Sequence, residues 1–170
     1  MLTGGWVGAL LLAGAASVVV PGSAGAQSTT HHVHSNGKTA PGDSAAQPVI
    51  TLERSSCHGQ CPEYKLAFFP DGQVAYDGMA NASKAGRWYA HLPRETVDRL
   101  VAEFRRIGYD SLSTKYPPGI NQSPVATTSF RDGDKFKTVT HEEGSPFPPP
   151  ALSVLEDRLD ASVQSVDWVR

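Results

Sequence analysis

The sequence predicts an α+β fold: a small antiparallel sheet built from hairpins, with two helices packed on it. Three observations carry that expectation. Two turn signals, Pro70-Asp71-Gly72 and Asp132-Gly133, each sit between extended runs and read as hairpins. Two stretches, one starting at Pro93 and one following Pro150, place apolar residues at helical spacing. The order is strand, hairpin, strand, helix, hairpin, helix, which is not the alternation of a parallel βαβ sheet.

Taken in order, Pro48 to Arg54 is β-branched and apolar and reads as a strand ending at Ser55-Ser56. Tyr64 to Phe69 is extended, with Tyr64, Leu66 and Phe68 on one face. After the Pro-Asp-Gly turn, Gln73 to Asp77 pairs back, and Gly78 to Lys84 is a polar loop. Gly86 to Leu92 is another strand. Pro93 then opens a helix at its first position, where the missing N–H costs nothing. Val97, Leu100, Val101, Phe104 and Ile107 form its apolar stripe, and Gly108 closes it as a C-terminal cap. Tyr109 to Ser123 reads as a loop. Val125 to Arg131 and Lys135 to Thr140 are the arms of the second hairpin. Ser145 to Pro150 is a stiff spacer, leading to a helix with a buried stripe of Leu152, Leu155, Leu159, Val163 and Val166. Trp168 is read as the anchor of the C-terminus. Residues 48–170 are thus expected to form one α+β domain, long enough to bury one core.

The N-terminal part reads differently. The first 26 residues carry no charged side chain, and Trp6 to Val20 is an apolar run followed by Pro21-Gly22-Ser23 and Ala24-Gly25-Ala26. An apolar run, a helix breaker and an A-x-A site are the layout of a secretory signal peptide over residues 1–26, although the n-region lacks Lys or Arg. Cleavage after Ala26 leaves Gln27 first and no stable membrane span. The alternative is a retained N-terminal membrane anchor, for which the run is short and rich in Gly and Ala. The expected location is therefore periplasmic or secreted. Residues 27–47 are small and polar and are expected to be a disordered linker, because they bury too little apolar surface to offset their ordering entropy. Within it, His31, His32 and His34 are close enough to share a Cu or Zn ion.

Both cysteines fall in Ser56-Cys57-His58-Gly59-Gln60-Cys61-Pro62-Glu63-Tyr64. In an oxidising compartment a Cys57–Cys61 disulfide is the expected state, a staple worth about 2 kcal/mol in the chain-entropy model. Two functional alternatives compete. Catalytic dithiols are usually C-x-x-C at a helix N-terminus, where one thiol pKa is lowered; here the second Cys is followed by Pro62 and a strand pattern. A metal site would use Cys57, His58 and Cys61 for Cu(I) or Zn. The C-x-x-x-C-P string is similar to the copper motif of Sco-type chaperones, but their βαβ order is not found here.

A longer resemblance runs through Thr51-Leu52-Glu53-Arg54, Cys57-x-Gly59-x-Cys61-Pro62-x-Tyr64, Asp71-Gly72, Tyr76-x-Gly78, Gly86 and the helix ending before Tyr109. In these features the chain resembles domain-of-unknown-function family 6438, and the region after Thr114 is the less distinct part of the match. The resemblance implies a bacterial, exported protein, with no activity or catalytic residue to carry over.

The formal net charge of -2 offers no basic face for nucleic acid. A Gly-rich phosphate loop, H-E-x-x-H and G-x-S-x-G are all missing from the sequence. His91 and His141 stand alone and read as exposed or hydrogen-bonded sheet residues rather than bases. The functional expectation is a non-enzymatic envelope module, without a cofactor, that binds an envelope protein or small ligand. The rival is a thiol-redox or copper/zinc protein using Cys57, Cys61 and a His.

Overall fold

The computed structural model describes residues 46–170 apart from Ser56, His58 and residues 120–122. The signal-peptide reading and residues 27–45 of the linker reading, with His31, His32 and His34, lie outside the described residues, as does His58.

Among the described residues six strands form one sheet: β1 Ile50–Arg54, β2 Tyr64–Phe68, β3 Gln73–Gly78, β4 Gly86–His91, β5 Val125–Asp132 and β6 Lys135–Glu142. Their spatial order is β4-β3-β2-β1-β5-β6, and every neighbouring pair is antiparallel. The fold is α+β, as the pattern of elements predicts. The hairpins are local, whereas β1 lies in the centre and joins the β2–β3–β4 meander to the later β5–β6 hairpin.

Period-2 alternation sorts the sheet into two faces. One face carries Ile50, Leu52, Leu66, Phe68, Val74, Ala126, Phe130 and Val139, all buried. Helices α1 Arg94–Arg106 and α2 Pro150–Ser162 contribute Val97, Leu100 and Phe104, and Leu152, Leu155 and Leu159, to this core. The opposite face is polar. On it Thr127 pairs with Thr140 at 3.1 Å and Ser129 with Thr138 at 2.9 Å, hydroxyl to hydroxyl.

Both edges are partly covered, which limits pairing with foreign strands. Val169 bridges Tyr89 of β4 through two 2.8 Å backbone hydrogen bonds. Residues Thr114 to Tyr116 pair with Thr140 of β6.

Several boundaries differ from the sequence reading. Pro93 is the residue before α1 rather than its first: its ψ of 133° is extended. Gly108 does close the helix, at φ 65°, where a Cβ would be strained. The segment after it is not all loop. Tyr109–Ser111 is a 3-10 turn, and the buried Tyr109 hydroxyl lies 2.8 Å from the Thr128 carbonyl oxygen, to which it donates. Helix α2 stops at Ser162, so Val163 and Val166 are half-buried in the tail beyond it, and the fourth buried position of the helix is Glu156.

Candidate functional site

The β1–β2 connection holds the cysteine turn, so the residues beside it set the site. The register aligns one cross-strand row at this end of the sheet: Gly86, Gly78, Tyr64, Arg54, Ala126 and His141. All point towards the helix layer. Helix α2 answers with Glu156 and, one turn later, Asp160.

Arg54 is the hub of the row. Its Nε donates to Asp160 Oδ2 at 2.9 Å, its Nη2 to the same oxygen at 2.7 Å, and its Nη1 to Glu143. The Tyr64 hydroxyl donates to the other Asp160 oxygen at 2.6 Å. Burial pushes the Arg54 pKa down, but the charge and hydrogen bond of Asp160, with Glu143, outweigh it and leave the guanidinium firmly charged. Burial, then the Asp160 hydrogen bond, push the Tyr64 phenol up. This cluster ties the ends of β1 and β2 to α2 and supports both sides of the cysteine turn.

Beyond Tyr64 the row has no side chains. There the Lys84 carbonyl packs over Gly78, and the space beside Tyr64 is bounded by the 79–85 loop and by the tail after α2. Gly78 is required: a Cβ on it would stand 1.8 Å from the Lys84 carbonyl oxygen. The result is a cleft of about 640 Å³. Tyr64 and Tyr76 form its aromatic wall, stacked at 5.6 Å between centroids, and Trp168 leans over Tyr76 at 5.5 Å. Asn81, Ser83, Lys84 and Gln164 make a polar rim, and Asp160 also contributes to the lining. The exit of the cysteine turn is zipped to the same loop. The Glu63 N–H donates to the Ala80 carbonyl and the Glu63 carbonyl accepts from the Met79 N–H, each at 2.8 Å, and Asn81 Nδ2 lies 3.4 Å from the Cys61 carbonyl oxygen.

The two cysteine sulfurs are 1.97 Å apart, at disulfide distance, with Cα atoms 5.5 Å apart. Pro62, next to them, lines the cleft. Among the described residues, no group of three or more His, Cys, Asp or Glu side chains is placed to hold a metal.

At the far end of the row lies a buried pair that the sequence did not reveal. His141 Nε2 is 2.9 Å from Glu156 Oε2, and the two side chains are only 1% and 2% exposed. Nδ1 sits 2.8 Å from the Glu142 carbonyl oxygen, an acceptor, so Nδ1 carries a proton. Burial pushes the His141 pKa down, and the hydrogen bond and charge of Glu156 more than reverse that, so it is raised. His91, by contrast, is exposed. The clue to Glu156 was its position: it falls on the same helical face as Leu152, Leu155 and Leu159. Asp160 carried no such clue, because its partners Arg54 and Tyr64 lie 106 and 96 residues away in the chain.

These features define a class: a single antiparallel sheet with two helices on one face and an aromatic cleft beside a cysteine-bridged turn. A family model described as Domain of unknown function (DUF6438) matches residues 48–163. The chain belongs to that family, and the match runs through β5, β6 and α2, past the less distinct region after Thr114. Comparison with curated proteins finds no match. No helix of the described residues is long and apolar enough to cross a membrane.

Proposed function

We propose that the chain is an exported envelope protein whose α+β part is a non-enzymatic binding module, with its site in the cleft beside Cys57 and Cys61. The observation that carries this reading is the cleft itself. It is concave, aromatic-walled and rimmed by a few polar groups, the make-up of a ligand site. Its walls come from rigid sheet positions and from a tail pinned to β4, so it is largely preformed.

The chemistry of the described residues favours binding over turnover. The His141 side chain is only 1% exposed and both its nitrogens are engaged, by the Glu142 carbonyl and by Glu156, so it presents no base to a bound substrate. With the sulfurs bonded, neither cysteine is a free thiolate nucleophile. Export is supported by the apolar N-terminal run ending in Ala24-Gly25-Ala26.

The test is a titration of isotope-labelled protein, purified after export from a bacterial host, with small-molecule fragments, peptides and saccharides. Ligands of at least one class should move the amide signals of Asn81 and Lys84 and the Trp168 indole signal. If no class moves them, and a substrate screen finds turnover, the reading is wrong.

A further inference from the structure

We infer that the ligand of this cleft is an uncharged carbohydrate, an inference that rests on the cleft being a binding site. A sugar ring has two chemistries: a face of C–H groups and a belt of hydroxyls that both donate and accept. A site for it needs aromatic plates for the face and side chains of dual hydrogen-bonding character for the belt.

The cleft supplies both. Tyr64 and Tyr76 lie nearly parallel, with 23° between their planes, and Trp168 stands at 54° to Tyr76, so three aromatic rings in mutual contact line one cleft. Around it, Asn81, Ser83 and Gln164 each donate and accept, and all three are exposed. Charge selects further. Asp160 is occupied by Arg54 and Tyr64, and the Lys84 ammonium lies 5.2 Å over the Trp88 ring. One acid and one base, each already engaged, give the ligand no reason to be an ion. The volume of about 640 Å³ lies within the range for small-molecule sites and admits a short oligosaccharide.

A peptide fits less well. A proline-rich segment offers mainly carbonyl acceptors and would leave the acceptors of the rim unpaired. A strand-adding peptide needs an open edge, and at Tyr89 the β4 edge is taken by Val169.

The experiment uses the full protein and four trisaccharides (maltotriose, cellotriose, mannotriose and the N-acetylglucosamine trimer), with a proline-rich decapeptide alongside. At least one trisaccharide should shift the Trp168 indole and the Asn81 and Gln164 side-chain amides, and bind measurably by calorimetry. Trp168→Ala should weaken that binding at least about tenfold, the loss of one aromatic contact. Because Trp168 also packs against the core, a second variant guards the result. Asn81→Gly with Gln164→Ala removes two rim amides at exposed sites, and Gly tolerates the φ of 55° at residue 81. Loss of the exposed 3.4 Å bond from Asn81 to the Cys61 carbonyl should lower its unfolding temperature only slightly, and it should bind about tenfold more weakly. Full-strength binding by the double variant overturns the inference. So does a cleft that takes the decapeptide and no saccharide, although the binding-module reading then stands. If neither the saccharides nor the peptide nor any fragment shifts the cleft, both fall.

Discussion

Replacing Glu156 by Gln should invert the pH dependence of stability. In the wild type, His141 donates from Nδ1 to the Glu142 carbonyl and from Nε2 to the Glu156 carboxylate when the ring is charged. Its folded pKa is raised above the ordinary 6.5. The pair therefore contributes stability that is fully present below about pH 6.5 and is lost as pH rises through the folded pKa. Gln changes the balance. Its amide N–H donates to the Nε2 lone pair, which suits the neutral ring, and charging the ring then leaves a buried cation facing an amide. The variant should lose stability as pH falls below about 6.5, the opposite slope. A hydrogen bond to a charged group is worth about 1.5–3 kcal/mol, so the deficit should reach that range near about pH 5.5. Near about pH 8.5 it should shrink to within about 1 kcal/mol, because both partners are then satisfied. The assay is urea unfolding followed by circular dichroism at several pH values. The Glu142 and Glu143 carboxylates, Arg54, Asp157, Asp160 and the Tyr109 phenol surround the pair in both proteins, so their titration cancels in the difference. A deficit that stays constant from about pH 5.5 to about 8.5 would refute the reasoning.

Other outcomes follow from packing and covalent structure. Phe104 is fully buried, with ring centroids 4.8 Å from both Tyr109 and Phe130, so Phe104→Ala should cost about 3–5 kcal/mol in denaturant unfolding. Arg99 is exposed and donates to Thr96, one turn back on the same helix, so Arg99→Ala should change stability by less than about 0.5 kcal/mol, and equal losses would mean the helix face is misassigned. Protein purified from the periplasm should show no free thiol, and replacing both cysteines by Ser should lower stability by about 2 kcal/mol. A reduction potential near about −200 mV, rather than below about −300 mV, or tight Cu(I) binding that His58→Ala abolishes, would instead favour the redox or metal alternative. Mass spectrometry of the protein made in a bacterial host should find Gln27, in open or cyclised form, at the N-terminus; intact Met1 in the soluble fraction would count against a signal peptide.

The legible parts of this chain are those whose physics is local. Asp71-Gly72 and Asp132-Gly133 specify hairpins through backbone conformations that few residues adopt, and both hairpins are present. The stripe Val97, Leu100 and Phe104 specifies which face of α1 is buried, because helical spacing is a property of a single segment. Cys57 and Cys61, four apart around a turn, come to disulfide distance through a short loop that closes at little entropic cost. These sufficed for the fold class and for the family. The end of α2 was less legible: Val163 and Val166 continue the apolar periodicity, yet the helix stops at Ser162 and both pack from the tail.

Only the tertiary structure decided the rest. That β1 lies between β2 and β5 depends on a pairing across the whole chain, and no turn residue encodes it. The contact of Arg54 with Asp160 joins residues 106 apart and exists only because α2 crosses the row that β1 and β2 begin. The cleft is assembled in the same way, from tyrosines on neighbouring strands, the 79–85 loop and a tryptophan beyond the last helix. Sequence dictates what a segment does with its own backbone. Which distant side chains then share a desolvated space is settled by how the segments pack, since the free energy of burial depends on the area covered and not on where in the chain the cover comes from.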